Sequence, residues 1–556
     1  MQCLRRLTEH IDLNDLTSLM QTSTVVYNAI LKAEYLSVRV TTQAQLQSLG
    51  RILKKFHCLQ HLHLKIFIQS KPNRFDHPDL TQLSKLSLTL EEGCAISWMF
   101  LVGFVSRKCQ IDLKFKWGIT IDTTPELFSD TISDVCSQLT HISSSAHFSS
   151  CLIWSATDGK ILSSLTSLHL YTPVQNPESY DELSARLPVL ESLYLTCEEL
   201  NGGEFFSSFP QLRNLALVTN SRFSIDRITN CPPLKSFDIS SFAITDAELV
   251  ELLVAMSPTL ESLKLQQLSK ISLLPFPRET RFPFLKNLSC IYCPKLRDEA
   301  LWDLMDRAPV THLTLKSCRT IRKPAPHPTP LHCLSITNLN LTDDALIPLL
   351  SDSLYSLSLT DIQGPVRMPV DLPLTNVKIL GLAGTKHMPG PDLISIISAC
   401  ETAIGVFLGP DIDLGRVPPS ETPTHLGCHV LSIKYPREHN EMSFNTLMSM
   451  FPNLYVLKLA GLALEATRFL EDLPFIYSNL NWISVTDCAQ QNETISTIIK
   501  NKCLNLEVTE SFVYNSPGPL AASLRPQPKI LSPNIDDSSN RAVKVSKRKS
   551  KKCVIL

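Results

Sequence analysis

The sequence predicts an α/β solenoid in which short strand–turn–helix units repeat along the chain. One observation is a pattern, Leu-x-x-Leu-x-Leu with other apolar residues allowed, that recurs at intervals of 21 to 26 residues between Leu165 and Val377. A second is a change of period inside each unit, from alternating apolar residues to apolar residues three or four apart. These are the periods of a strand and a helix. One unit cannot bury both of its apolar faces, so it requires a copy on each side.

The unit is clearest between residues 285 and 305. Its opening, Leu285-Lys-Asn-Leu288-Ser-Cys290, places Leu288 and Cys290 on one face of a short strand. Helical spacing follows at Leu296, Ala300, Leu301, Leu304 and Met305. Clear copies start at Leu59, Leu83, Leu165, Leu190, Leu212, Leu234, Leu260, Leu285, Val310, Leu331, Leu354, Val377, Leu454 and Leu480. Weaker copies lie near Ile111, Leu139, Ile404 and Leu431.

This pattern and spacing resemble leucine-rich repeats over roughly residues 46–508. The resemblance implies a horseshoe-shaped solenoid with parallel strands on its concave face and helices outside. Cys293, Cys318 and Cys488 occupy the ninth repeat position, as in the cysteine-containing repeats of F-box/leucine-rich-repeat proteins. In segments such as Ile244-Thr-Asp-Ala and Leu296-Arg-Asp-Glu, we expect the aspartate to cap the helix that follows.

Three segments are predicted: residues 1–41 as an N-terminal helical hairpin, residues 42–513 as the solenoid, and residues 514–556 as a disordered tail rich in proline and serine. Proline-rich stretches within the solenoid are interpreted as edge loops.

The segment from Ile11 to Tyr27 resembles the second half of an F-box, a helical hairpin that docks on the Skp-type adaptor of a cullin-RING ubiquitin ligase. The resemblance implies that Leu16, Leu19 and Tyr27 lie on the hairpin that meets the adaptor or the first repeat. The usual F-box opening, Leu-Pro-x-Glu, is absent, and the sequence starts too close to the motif to contain it. The other interpretation is a helical cap that shields the open edge of the first repeat.

Composition and motifs favour binding over catalysis. The net charge is −1, so no global field attracts nucleic acid. The first ten residues are not those of a secretory signal, and with seventeen cysteines this predicts reduced thiols in the cytosol or nucleus. Cys290-x-x-Cys293 could be half a zinc site, but both cysteines occupy repeat positions. We expect no metal, no cofactor and no catalytic residue.

The outward strand positions predict a concave face that is small, polar and nearly uncharged, without the basic stripe that nucleic acid requires. Its central column contains Ser87, Ser289, Thr314, Ser335, Ser358 and Ser484. His169, Tyr171 and Tyr194 interrupt this face on adjacent repeats and are the predicted contacts for a protein substrate, because aromatic residues often anchor interfaces. Tyr292 and Trp482 are expected on the same side. Isolated surface aromatics without a role are the alternative.

The tail closes on Cys553-Val-Ile-Leu556, a prenylation box whose final leucine points to a geranylgeranyl group and to a prenyltransferase as a partner. One lipid holds a membrane weakly, and a polybasic run can supply the second signal. Its predicted contacts with an anionic membrane surface are Lys544, Lys547, Arg548, Lys549, Lys551 and Lys552. The tail resembles that of prenylated F-box/leucine-rich-repeat proteins. A nuclear localisation signal is the other interpretation of the run.

The sequence therefore predicts a non-enzymatic substrate-recognition subunit of a cullin-RING ligase, peripheral on the cytosolic face of a membrane. The alternative is a membrane-tethered leucine-rich-repeat scaffold without a link to ubiquitin ligases.

Overall fold

The structure, a computed structural model, divides the chain into two compact units, Met1–Thr509 and Glu510–Leu556. The second unit, with Cys553 and the polybasic run, lies outside the described residues. The residues described are 11–12, 16, 18, 20–21, 30–56, 58–68, 82–91, 95–97, 109–115, 120–122, 137–144, 161–174, 180–224, 230–318, 330–341, 343–363, 374–384, 390–409, 424–425, 427–434, 448–460, 480, 482–486 and 507–509.

Parallel strands dominate the first unit. The strands of its main sheet are β1 (Ile11–Asp12), β2 (Tyr35–Val40), β3 (His61–Ile66), β4 (Lys85–Leu90), β6 (Gln110–Phe115), β8 (Leu139–Ser144), β9 (Ser167–Val174), β10 (Ser192–Asn201), β11 (Asn214–Ser224), β12 (Ser236–Ser241), β13 (Ser262–Gln266), β14 (Asn287–Ile291), β15 (His312–Lys316), β16 (Cys333–Thr337), β17 (Ser356–Thr360), β18 (Ile379–Ala383), β19 (Gly405–Leu408), β20 (Val430–Lys434), β21 (Val456–Ala460), β22 (Trp482–Thr486) and β23 (Glu507–Thr509). Two further strands, β5 (Ala95–Ser97) and β7 (Thr120–Asp122), pair only with each other.

Within the described residues the main sheet has 21 strands, each paired in parallel with the next in chain order. Such an order requires every connection to return the chain to the same end of the next strand. The helical connections are α1 (Gln43–Leu53), α2 (Tyr180–Arg186), α3 (Gly202–Ser208), α4 (Asp246–Met256), α5 (Asp298–Asp306), α6 (Asp343–Leu346), α7 (Gly390–Ala399) and a 3₁₀ helix at Ile347–Leu349. None of the helices in the described part combines the length and hydrophobicity needed to cross a bilayer.

One continuous apolar core runs beneath the sheet. Leu215, Phe237, Leu263 and Leu288 are register partners on four neighbouring strands, and each is at most 2% exposed. Helical residues such as Leu249 in α4 belong to the same core. The helices therefore cover one face of the sheet, and the other face is left to polar side chains. This arrangement confirms the α/β leucine-rich-repeat solenoid.

A strand begins within two residues of every predicted repeat start, including the four weaker ones. Three strands of the sheet were not predicted, namely β1, β2 and β23. Strand β2 lies inside the segment 1–41 that was predicted to be helical, so the sheet starts before residue 42. Leu36, Val38 and Val40 explain the difference, because their alternation buries all three against the core.

The aspartates near the helix starts were wrongly predicted to be caps. Asp246 is the first residue of α4, and Thr245 caps the helix through a capping box with Glu248. Asp246 instead binds the next repeat, where its carboxylate accepts hydrogen bonds from the amides of Ser272, at 2.8 Å, and Leu273, at 3.2 Å. In α5 the first residue is again aspartate, and Arg297 precedes it without a side-chain cap bond.

A left-handed residue follows each of the strands β13 to β18. These residues, with φ between 50° and 60°, are Gln267, Tyr292, Ser317, Asn338, Asp361 and Gly384. The amide of each of the first five donates to the carbonyl of the last residue of the next strand, at 2.8 to 2.9 Å. The turn therefore links neighbouring repeats along this edge. Tyr292 lies in this turn and not on the strand face where it was expected.

Gly409 is a position where a side chain does not fit. A Cβ there would lie 2.2 Å from Cβ of Ala383, whereas a Cβ at Gly381 would lie 3.4 Å from its nearest atom, Oγ of Ser358. We expect Gly409→Ala to lower the free energy of unfolding by about 1–3 kcal/mol because of this overpacking. Gly381→Ala is the matched control and should have a much smaller effect in urea unfolding. Equal effects would contradict the steric explanation.

Candidate protein-binding face

The polar face of the sheet contains small side chains over its central strands. Ser289, Thr314, Ser335 and Ser358 are successive register partners on β14 to β17, and all four are half-buried. Side chains of this size leave the backbone of the sheet accessible to a partner surface.

The charged side chains on the described part of this face include three close ion pairs. Lys85 Nζ lies 2.8 Å from Asp112 Oδ2. The other two pairs, Lys65–Glu91 and Lys264–Asp238, are each 3.1 Å apart. Within each pair the lysine and the carboxylate largely cancel each other's charge. These side chains therefore create no extended field of one sign.

Four aromatic rings meet on strands β8, β9 and β10, and we call them the histidine–tyrosine cluster: His141, His169, Tyr171 and Tyr194. The ring centroids of Tyr171 and Tyr194 are 4.4 Å apart, and those of His141 and His169 are 5.0 Å apart. His169 lies about equally far from both tyrosines, at 6.2 and 6.1 Å. The three residues predicted to bind a partner are thus brought together.

His141 is the member of the cluster that the sequence did not reveal. The pairing of β6 with β8 shifts register between Ile111 and Asp112, so Asp112 aligns with His141 and not with Thr140. Because of this irregularity, His141 is the register partner of Ser167 on β9. The repeat near Leu139 matches the pattern weakly, and a bulge in a weak repeat leaves no periodic signal.

Hydrogen bonds connect the two histidines across the strands. His141 Nδ1 lies 2.8 Å from Ser167 Oγ, which lies 3.3 Å from His169 Nε2. On the other side, Thr140 donates to Asp112 Oδ1 at 3.0 Å. The bonded side chains lose rotamer freedom before any partner arrives, and this lowers the entropic cost of binding.

Burial disfavours the charged form of three members of the cluster. Burial, with a smaller contribution from His141, lowers the pKa of His169 to about 4. Burial also lowers the pKa of His141, although Asp112 opposes this shift. Burial and the neighbouring Tyr171 raise the pKa of Tyr194 to about 12. Tyr171 is the most accessible member of the cluster, with 41% of its surface exposed. The cluster therefore offers neutral aromatic surface with polar atoms at its margin.

The repeats and the parallel sheet of the chain itself carry the identification of its architecture. The chain is a leucine-rich-repeat solenoid. No protein-family model matches it, and no curated protein matches it. Among solved structures, a TLR13–ssRNA13 complex has 15% identity and a TM-score of 0.45, covering 87% of this chain and 68% of the other. A Rad7–Elc1 complex from yeast has 16% identity and a TM-score of 0.32, covering 85% and 89%. These similarities are too low to transfer any partner.

The cysteines of the repeat positions are part of the core. Cys290 and Cys293 are each 1% exposed, and Cys318 is fully buried. Cys293 Sγ donates to the carbonyl of Leu265 at 3.6 Å, and Cys318 Sγ donates to that of Cys290 at 3.5 Å. These bonds join neighbouring repeats. In the described part of the chain, no group of three or more potential ligands could hold a metal ion.

The other predicted site residues are only partly described. Leu16 is fully buried in the core of the solenoid. Its side chain therefore packs against the solenoid, as the cap interpretation of this segment implies, and is not exposed to an adaptor. Leu19 and Tyr27 lie outside the described residues, and of Trp482 only the backbone, in β22, is described.

The lowered pKa of His169 predicts that the stability of the fold depends on pH. Because its folded-state pKa is about 4 against an ordinary 6.5, the unfolded chain binds a proton over this range that the folded chain does not. The contribution of His169 to the free energy of unfolding is therefore complete above pH 6.5 and is lost as the pH falls toward 4. We expect the free energy of unfolding to fall more steeply over this range in the wild type than in His169→Asn. Parallel curves from urea titrations would contradict the burial of a neutral imidazole.

Proposed function

We propose that this chain is the substrate-recognition subunit of a cullin-RING ubiquitin ligase, with the protein target bound on the polar face of the sheet. The observation that carries the binding role is the histidine–tyrosine cluster. It brings four rings together on a face whose neighbouring side chains are mostly small, and Tyr171 remains accessible. Neutral aromatic groups with nearby polar atoms are frequent anchors of protein interfaces. Transfer of ubiquitin would take place on other subunits.

The ligase link is supported by the sequence between Ile11 and Tyr27, which resembles the second half of an F-box, and by the cysteine-containing repeats. Since Leu16 is buried, Leu19 and Tyr27 are the remaining candidates for contact with a Skp-type adaptor. Full-length chain mixed with purified adaptor should form a complex that Leu19→Asp weakens. If the adaptor does not co-elute with the chain in size-exclusion chromatography, the ligase link is to be dropped.

A scaffold without a ligase link is the second candidate. The burial of Leu16 favours it, because a buried side chain is not available to an adaptor. Under this alternative the N-terminal segment covers the first repeats, and the histidine–tyrosine cluster keeps its role in binding a protein.

The membrane tether is a further part of the proposal. It is supported by the prenylation box at Cys553 and by six basic residues between Lys544 and Lys552. A geranylgeranyl chain and a polybasic run together supply the two signals that stable anchoring needs. The solenoid would then act on the cytosolic face of a membrane, where the attached tail limits the targets within reach.

Replacing Cys553 with serine should move the protein from the membrane fraction to the cytosol, since it removes the only atom to which a prenyltransferase can attach the lipid. Replacing the six basic residues with glutamine should weaken membrane retention while leaving lipidation intact. Mass spectrometry of the C-terminal peptide from cells gives the direct measurement. An unmodified Cys553 in cells with active prenyltransferase would exclude the anchor.

A further inference from the structure

Two members of the histidine–tyrosine cluster belong to a register row that contains three cations on its N-terminal side. From β2 to β10 each residue of this row is the register partner of the next: Arg39, Lys65, Thr89, Lys114, Ser143, His169 and Tyr194. Strands ~4.8 Å apart place Lys114 ~10 Å from His169 and Arg39 ~24 Å from it. We call the part of the row from Arg39 to Lys114 the basic row.

Cations outnumber carboxylates around the basic row. Strands β2, β3, β4 and β6 carry four cations and one carboxylate on this face, namely Arg39, Lys65, Lys85, Lys114 and Asp112. Lys65 and Lys85 belong to the ion pairs described above. Within the part of the chain that the structure describes, no carboxylate pairs with Arg39 or Lys114, and both are exposed. Their charges are therefore open to a partner.

Arg39 is held in place by an aromatic ring. Its guanidinium carbon lies 4.1 Å from the ring centroid of Phe67, a half-buried residue that follows β3. Lys65 Nζ lies 5.4 Å from the same centroid. A stacked guanidinium keeps its charge and loses side-chain freedom before binding, which lowers the entropic cost of a contact. Tyr35 lies at the other end of β2, ~13 Å away along the strand, so a segment that follows the row does not pass over it.

Lys114 is the cation of the basic row that lies nearest to the cluster. Burial lowers the pKa of His169 to about 4, and repulsion by His141 and by Lys114 adds to the shift. Burial is also the main cause of the lowered pKa of His141, and Lys114 contributes in the same direction. The charge of Lys114 therefore acts on both histidines. A partner that covers the rings comes under the same charge.

The row has a different character on the other side of the cluster. It continues from Tyr194 through Ala216 to Asp238 and Lys264, whose side chains pair at 3.1 Å. From β14 to β20 the row contains no charged residue, and its next one is Lys458 on β21. Along the row from β2 to β20, the cations without a carboxylate partner therefore lie on one side of the cluster.

The spacing of these cations suits a polypeptide. Lys114 and Arg39 are three strands apart in the row, or ~14 Å, and alternate side chains of an extended peptide are ~7 Å apart. Acidic residues spread along one segment can therefore face both cations. The carboxylates of Glu91 and Asp112 lie among the cations and would repel a nucleic-acid backbone, which carries a charge at every phosphate.

We infer that the target of the proposed function is bound through an acidic segment that crosses the strands from the histidine–tyrosine cluster toward β2. A bulky apolar residue of the segment contacts Tyr171 and Tyr194, and carboxylates on one side of that residue face Lys114 and Arg39. The rings supply most of the affinity, and the charges supply attraction during the encounter and fix the direction of the segment. This inference rests on the binding role proposed for the cluster and adds the chemical class of its target.

The test selects random peptides of about twelve residues, which in extended form exceed the length of the row, on the immobilised full-length chain. We expect enriched sequences in which Asp and Glu cluster on one side of a Trp, Tyr, Phe or Leu. A synthetic enriched peptide should bind about tenfold more weakly to Lys114→Glu and to Arg39→Glu in fluorescence polarisation. Lys434→Glu is the matched control, because it reverses the charge of an exposed lysine on β20, and should leave the affinity unchanged.

A charge exchange separates this inference from the proposed function. A peptide in which lysine replaces the acidic residue that faces Lys114 should bind Lys114→Glu more tightly than it binds the wild type. The double substitution Tyr171→Ala and Tyr194→Ala should weaken the binding of both peptides, because it removes the anchor. Peptides that require the tyrosines but bind Lys114→Glu and Arg39→Glu as tightly as the wild type would refute the acidic segment and leave the cluster as a binding site. Peptide binding that is independent of the tyrosines would refute both.

Further outcomes would also overturn the inference. One is the absence of any enriched sequence, and another is the enrichment of basic sequences. A single-stranded oligouridine that binds more tightly than the peptide, and that Lys114→Glu releases, would assign the row to nucleic acid. A dimer in analytical ultracentrifugation that Lys114→Glu dissociates would assign it to a second copy of the chain. If Lys114→Glu unfolds the protein, Lys114→Gln replaces it, since it removes the charge without adding a carboxylate.

Discussion

Phe237→Ala is expected to lower the free energy of unfolding by about 3–5 kcal/mol, which is typical of removing a buried aromatic ring. Phe237 is fully buried on β12 and is the register partner of Leu215 on one side and Leu263 on the other. In a solenoid each repeat is stabilised mainly by its neighbours, so a cavity here weakens two interfaces at once. Urea unfolding measures the loss.

Phe242→Ala is the matched control because it removes the same ring from a position that is 48% exposed. It should change the free energy of unfolding by well under half as much. Hydrogen exchange should locate the effect of Phe237→Ala on β11 to β13, where the lost contacts lie. Equal losses for the two variants would show that the repeats do not share the core that the register implies.

The double substitution Tyr171→Ala and Tyr194→Ala is expected to weaken target binding roughly thirtyfold, corresponding to a loss of about 2 kcal/mol at an interface anchor. The two rings contact each other at 4.4 Å between centroids, so they form one surface and their removal leaves a shallow depression. The measurement is the amount of each protein captured by full-length chain, quantified by mass spectrometry.

Tyr35→Ala controls for the loss of a surface tyrosine, because Tyr35 on β2 is 42% exposed and lies several repeats away. It should capture the same proteins as the wild type. The melting curves should stay close together in all variants, since outward strand side chains contribute little to the core. Early unfolding of the double variant would make these tyrosines structural and would rule out the cluster as a binding site.

Apolar periodicity was sufficient to predict most strands because each strand buries two residues of one face in every copy. Strand β2 was not predicted, since Leu36, Val38 and Val40 follow residues with helical spacing and lack the full repeat pattern. The sequence indicated where this helix starts, but it did not indicate which groups the carboxylate of Asp246 binds. Its carboxylate reaches amides 26 and 27 residues away, a distance that no local motif encodes.

The members of the histidine–tyrosine cluster differ in how far the sequence predicts them. Tyr194 lies beside His169 because the two occupy equivalent positions of neighbouring repeats and are register partners. His141 joins them only through an irregular pairing between β6 and β8.

Photocrosslinking from position 171 tests the central claim, that the histidine–tyrosine cluster binds a ubiquitylated target, most directly. Benzoylphenylalanine in place of Tyr171 in the full-length chain would be irradiated in cells, with the same group at Tyr35 as the reference. We predict a protein that crosslinks from position 171 and not from position 35, and whose ubiquitylation falls when the chain is depleted. The same products from both positions, or a target whose ubiquitylation is independent of the chain, would contradict this claim.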